Sequence, residues 1–213
     1  MTDEQEPMTR QPFDEDPYWN RHVVLGEEAV YGRRQQIRMR LHRSEERFAG
    51  GDDHIPLTQR SGERTYFHAK PYILIPDITM TVAPSQPNGG KSALGTEIGR
   101  VVGSHVGTPK PLEIGEAQAW YYPQDRALML WECFLEDRIR QHSDPSMDPL
   151  YQIVWTGFEQ LLVHEVPDVE HVYTTREPIY DNALFARFLE RKGYRPFETV
   201  SFIKHLPHQR EVK

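Results

Sequence analysis

The segment Ala127–Leu135, ALMLWECFL, constrains the fold of this chain more than any other. It is apolar at positions that would point to both sides of a strand, so it needs neighbours at both edges and cover on both faces. Pro123-Gln124-Asp125-Arg126 just before it has the composition of a hairpin turn, which makes Ala117–Tyr122 its antiparallel partner. A chain organised around such a strand needs helices with apolar stripes, and the downstream sequence supplies them. Asp148 followed by Pro149 is a capping residue with proline at the first helical position, and Leu150, Ile153, Val154, Phe158, Leu161 and Leu162 form the buried stripe up to Pro167. Val169–Thr175 reads as a strand. Asn182–Lys192 reads as a helix closed by Gly193, and Phe197–His205 as a last strand. The expected class is therefore α/β (α+β), a mixed sheet flanked by helices.

The first half is less regular. Residues 1–18 carry six acidic side chains against Arg10 and have little to bury, which predicts an acidic disordered tail before a single domain over 19–213. In residues 21–48, Val24, Leu25, Ala29, Val30, Ile37, Leu41 and Phe48 recur at roughly helical spacing among six arginines, which predicts one or two amphipathic helices broken at Gly32. Tyr66–Ile75 and Ile78–Val82 read as strands, with Pro71 and Pro76 marking an edge or a bent hairpin. Glycines at 89, 90, 95, 99, 103 and 107 favour short strands and turns over a helix in residues 84–115.

Bulk properties exclude several classes. One cysteine, Cys133, rules out an internal disulfide and four-cysteine zinc sites, and fits a reducing, cytoplasmic setting. The N-terminal residues lack the apolar stretch of a signal peptide, and no run of about 18 apolar residues predicts a membrane span. A net charge of −7 disfavours nucleic acid, although Arg33–Arg47 forms a local basic stretch diluted by Glu45 and Glu46. The ten histidines show no metal-ligand spacing. Asn88-Gly89-Gly90-Lys91-Ser92 lacks the first glycine of a phosphate loop, because position 85 is serine.

The helix Asn182–Lys192 followed by Gly193-Tyr194, with Thr174-Thr175 upstream and the helix Asp148–His164 before that, resembles the GNAT (N-acetyltransferase) superfamily over about residues 116–206. The resemblance implies a splayed mixed sheet in which the pantetheine of acetyl-CoA enters between Ala127–Leu135 and Val169–Thr175. It also implies an acyl acceptor that is a small-molecule or peptide amine. By that resemblance the main chain around Phe134 and Leu135 would hold the cofactor, and Asn182 would contact it. Two departures stand out. The family's glycine-containing phosphate loop corresponds to Arg138–Pro149, which has no glycine and includes Asp144 and Asp148; Arg138 and Arg140 could act there as side-chain donors. The family's tyrosine acid falls at Leu189, leaving Tyr180 and Tyr173 as nearby donors.

Glu132 is the leading catalytic candidate. A carboxylate in an apolar strand, expected on the face of Leu128, Leu130 and Phe134, would have a raised pKa suited to a general base. It could equally sit at a strand bulge and pair with an arginine or a backbone donor. Asn182 reads just as well as an ordinary helix cap, and the tryptophans and tyrosines of 120–131 as core. The alternative to an acyltransferase is a non-catalytic binding protein that keeps the fold without the phosphate loop and the acid.

Overall fold

A computed structural model describes residues 17–19, 21–49, 57–58, 61–83, 100–175, 182–197 and 201–206. The chain divides into two compact units, one built from the segments up to Ile73 and from Glu113 onward, the other from Leu74–Leu112. Among the described residues there are nine strands and two helices: β1 Arg21–Val30, β2 Arg33–Ala49, β3 Ser61–Ala83, β4 Arg100–Glu113, β5 Gly115–Tyr122, β6 Ala127–Leu135, α1 Pro149–Glu165, β7 His171–Thr175, α2 Asn182–Arg191, β8 Arg195–Phe197 and β9 Ser201–His205. The architecture is thus mixed α+β. The sheet order is β1-β2-β3-β5-β6-β7-β9-β8, with β4 paired to β3. The described pairings are antiparallel except β6 with β7.

The helices expected over residues 21–48 are instead the strands β1 and β2. Ile37, Met39 and Leu41 are each almost fully buried while the residues between them are half-buried, a period of two rather than 3.6. Val30 pairs directly with Arg33 across a two-residue turn, in which Tyr31 (φ 52°) and Gly32 (φ 72°) both take left-handed backbone. That is the turn whose twist matches a hairpin, and glycine at its second position is what permits it.

No break falls at Pro71 or Pro76: β3 runs from Ser61 to Ala83, with Pro71 inside its pairing with β2 and Pro76 beyond it, since that pairing extends to Tyr72. Pro71 lies opposite Met39, and its carbonyl accepts from the Ile114 N–H at 3.0 Å, on the side away from β2. A strand residue's N–H and C=O point the same way. The donor that proline lacks is therefore not one that β2 would have used. The stretch 84–115 contributes the strand β4, and residues 84–99 lie outside the described residues.

The hairpin β5–β6 and the central position of β6 match expectation. The final strand divides into β8 and β9, which pair with each other, while β9 also pairs with β7. One face of the sheet carries Leu41, Phe67, Ala69, Ala117, Ala119, Leu128, Leu130 and Cys133, all at most 1 % exposed, and opposite one another where their strands pair. Helix α1 packs against β6 and β1. Its Trp155 meets Phe185, Phe188 and Tyr194 at centroid separations of 5.9, 5.6 and 6.3 Å. Large-to-small changes in such a cluster cost about 3–5 kcal/mol. Gly193 (φ 88°) ends α2: its N–H bonds Glu190 O and the Tyr194 N–H bonds Leu189 O, each at 3.0 Å, the double closure that a left-handed residue allows.

Candidate functional site

The register of the sheet places His42, His68, Gln118 and Glu132 directly opposite one another across β2, β3, β5 and β6. Three strand spacings make this a polar row about 14 Å long. It lies on the face opposite the fully buried one.

Glu132 reaches this face because of an irregularity in β6. Gln118 pairs with Glu132, but the next residue, Ala119, pairs with Leu130, so Trp131 is an extra residue in β6. The bulge changes the side to which later residues point. Glu132 therefore shares its face with Trp120, Met129 and Phe134, and not with Leu128 and Leu130 as simple alternation predicts. Trp131 is 45 % exposed, and its ring stands edge-on to Trp120 at 5.7 Å, on the same face.

Burial pushes the Glu132 carboxyl up, and the nearby Glu116 carboxylate adds to the shift. Among the described residues Glu132 has no hydrogen-bond or ion-pair partner. Glu116 is engaged: its Oε1 accepts from His68 Nε2 at 2.9 Å and from Gln118 Nε2 at 3.1 Å. A carboxylate only accepts, so His68 Nε2 carries a proton. Burial lowers the His68 pKa, with Glu116 opposing the shift. In the neutral ring Nδ1 then accepts from the Tyr18 hydroxyl at 3.0 Å. The Tyr18 ring stacks on His42 at 3.8 Å, and His42 Nδ1 donates to the Tyr18 carbonyl at 2.6 Å.

Tyr66 adjoins the row, with its ring 5.5 Å from Trp120 and 6.3 Å from His68. Burial, helped by the charges of Tyr18, Glu116, Glu46 and Glu132, pushes its hydroxyl up to about 12. Tyr66 is thus a proton donor, never a phenolate, at ordinary pH. Behind Trp120, Glu46 Oε2 accepts from Arg64 Nε at 3.1 Å and from Trp120 Nε1 at 3.4 Å, and the Arg64 guanidinium lies 4.8 Å above the Trp120 ring. The ensemble can bind a cation and move a proton.

The other sequence candidates fall elsewhere. Parallel pairing of β6 with β7 covers Ala127↔His171 to Leu130↔Thr174 and stops just before the bulge. The outer half of β6, including Phe134 and Leu135, has no β7 partner among the described residues; there the Cys133 carbonyl accepts from the Tyr151 hydroxyl at 3.0 Å. Arg138 and Arg140 are brought together in a cavity of about 350 Å³, lined also by residues 29–32 of the β1–β2 turn. Each guanidinium already holds a neighbouring carboxylate, Arg138 with Glu136 at 2.6 Å and Arg140 with Asp137 at 2.7 Å. Tyr180 and the side chain of Asn182 lie outside the described residues.

The seat at the N-terminus of α1 is occupied from within. Asp148 is fully buried. Its carboxylate accepts from the N–H groups of Tyr151 at 3.1 Å, Gln141 at 2.9 Å and His142 at 3.3 Å. These main-chain donors converge as they would on a bound anion. No family model, curated protein or solved structure matches this chain.

Tyr66, His68 and Glu116 were not singled out by sequence. Their signal was the alternation of polar with apolar residues through Arg64–Lys70 and Glu116–Trp120, which marks one shared face once the two strands are paired. No group of three or more histidine, cysteine, aspartate or glutamate side chains suited to a metal occurs among the described residues. No described helix is long and apolar enough to cross a membrane.

Proposed function

We propose that the protein is a GNAT-like acyltransferase that moves an acyl group from acyl-CoA, acetyl-CoA in the simplest case, to an amine. The observation that carries this reading is the end of β6–β7 pairing at Leu130↔Thr174, with Trp131 and Glu132 immediately beyond it. Among the described residues the outer half of β6 has no β7 partner, so its main-chain groups would be those with which an extended thioester arm pairs, and Glu132 stands there. In the reaction the amine nitrogen attacks the thioester carbonyl, a C–N bond forms and the C–S bond breaks. Glu132, its pKa raised, takes the proton from nitrogen directly or through water. The departing thiolate takes a proton from Tyr180 or from solvent.

The non-catalytic alternative is favoured by a different observation. Asp148 consumes the N–H groups on which a pyrophosphate would rest, and Tyr151 consumes the Cys133 carbonyl. On this reading the face around Glu132 binds its ligand without chemistry.

Thermal melting separates the two. Acetyl-CoA at millimolar concentration raises the melting temperature if the cleft is functional, because it binds the native state alone. Silence with both acetyl-CoA and desulfo-CoA assigns the chain to the binding class. Where transfer to an amine is detected, Glu132→Gln lowers turnover about a hundredfold; unchanged turnover removes Glu132 as the base.

A further inference from the structure

Two ammonium groups meet a single buried carboxylate where α1, the end of α2 and β9 come together. Glu159 of α1 is buried, and its Oε1 accepts from Lys204 Nζ of β9. Lys192, the residue after α2, reaches the same place, where the charges of Glu159 and Lys204 both act on it. Its Nζ nevertheless donates to Thr156 Oγ1, one turn earlier on α1, at 2.7 Å. Lys70, Lys110 and Lys204 each hold a carboxylate. Among the described residues Lys192 forms no ion pair. Aromatic rings flank the pair of amines: Lys192 Nζ stands 5.7 Å from the centre of Phe188, and Lys204 Nζ 5.4 Å from that of Tyr194.

This arrangement favours the uncharged form of Lys192. The side chain is half-buried, so its ammonium is partly stripped of water. The carboxylate that would offset this loss is taken by Lys204, which also repels a second positive charge. Burial lowers the Lys192 pKa; Glu159 opposes the shift and Lys204 adds to it. Thr156 does not hold the proton in place. A carboxylate only accepts and so ties a lysine to its proton, whereas a hydroxyl accepts from an ammonium or donates to an amine. A neutral amine carries the lone pair that attacks a carbonyl. Neutralising Lys192 also leaves Glu159 and Lys204 as a balanced pair, and an amide at Nζ makes that balance permanent.

We propose that Lys192 is an acylation site of this protein, its Nζ taking an acyl group from small acyl thioesters. The nitrogen lone pair attacks the thioester carbonyl, a C–N bond forms and the C–S bond breaks. The thiolate leaves with the electron pair and takes up the proton that nitrogen loses. The step uses neither Glu132 nor bound CoA, so it stands apart from the acyltransferase reading.

The probe is S-acetyl-N-acetylcysteamine, a thioester without a nucleotide, at about pH 7.5. Peptide mass spectrometry gives the initial rate of acetylation at each lysine. Lys110, 68 % exposed, is the internal reference, since access alone would make it react first. The expected result is acetylation of Lys192 about fivefold faster than of Lys110 in the folded protein, and equal rates in urea. This comparison needs no variant. Lys204→Met releases Glu159 to pair with Lys192 and should slow Lys192 about fivefold, with circular dichroism melting as the check on folding. A Lys192 rate no greater than that of Lys110, a preference that survives in urea, or an undiminished rate in folded Lys204→Met overturns the inference. Acetylation of Lys192 by acetyl-CoA that Glu132→Gln abolishes, with none from the cysteamine thioester, sustains the acyltransferase reading and overturns this one. Preferential labelling of Lys192 by the cysteamine thioester, in a protein that acetylates no added amine, sustains the inference and sinks the acyltransferase reading alone.

Discussion

Replacing Asp148 by alanine tests the reading of the α1 N-terminus. The side chain is fully buried and receives three main-chain N–H groups, from Gln141, His142 and Tyr151. Loss of the helix cap alone costs about 1 kcal/mol. Two further donors then lose their acceptor, at about 1 kcal/mol each if water reaches them in part. The sum is about 3 kcal/mol, or a fall in melting temperature of roughly 6–12 °C for a domain of this size. Asp148→Asn keeps an acceptor of the same shape and should lose about half as much. If the carboxylate occupies a seat shaped for an anion, inorganic phosphate should restore part of the stability of Asp148→Ala and do nothing for the parent protein. Melting curves followed by circular dichroism, with and without phosphate, decide the matter. A shift under about 2 °C would refute the three-donor account, and failure of phosphate to rescue would refute the anion seat.

Other consequences follow from close contacts and from charge. Gly115→Ala would put a Cβ 2.1 Å from the Phe134 carbonyl oxygen, so the β5–β6 pair must separate; the expected loss is about 3 kcal/mol or more by urea melting. Gly157→Ala would meet Leu25 Cδ2 at 2.7 Å, a side-chain end that can swing away, and helix propensity offsets the cost, so the same assay should show a change of less than about 1 kcal/mol. Gly193→Ala meets nothing closer than Lys204 Cε at 3.8 Å, but its φ of 88° is strained for alanine, which predicts a melting temperature lower by about 2–4 °C. Burial raises the Glu113 pKa, yet the Lys70 ammonium at 2.8 Å and the Arg40 guanidinium outweigh burial and leave it lowered. A lowered acid contributes stability at neutral pH that is lost as pH falls below its ordinary value of 4.5. Glu113→Gln should flatten that acid limb in urea melts run against pH.

The second half of the fold was legible because its signals are local. Asp148-Pro149, Gly193 and the turn 123–126 each mark a boundary through their own backbone preferences, and all three fall where the structure begins or ends an element. Residues 21–49 misled for a physical reason. β2 is polar at every even-numbered position from Arg34 to Glu46 and on both faces from His42 to Arg47, so Ile37 and Leu41 are as well spaced for a helix as for a strand. Met39 between them was the deciding residue. Of the candidate site, Glu132 was visible as a carboxylate in a greasy strand. Its surroundings were not, since Tyr18, His42, His68 and Glu116 are brought to it only by pairing across strands far apart in sequence. The register shift at Trp131 left no trace in composition either, and it overturned the assignment of Glu132 to the Leu128 face.

That extra residue acts as a frameshift in the two-residue cycle of the sheet. Before it, even-numbered Leu128 and Leu130 turn inward; after it, odd-numbered Cys133 and Leu135 do. The strand thus stays greasy along its whole inner side while still presenting a carboxylate outward. Deleting Trp131 alone would leave Glu132 outward and Cys133 and Leu135 inward on a regular strand, whereas strict alternation with Trp131 retained would turn the acid into hydrocarbon.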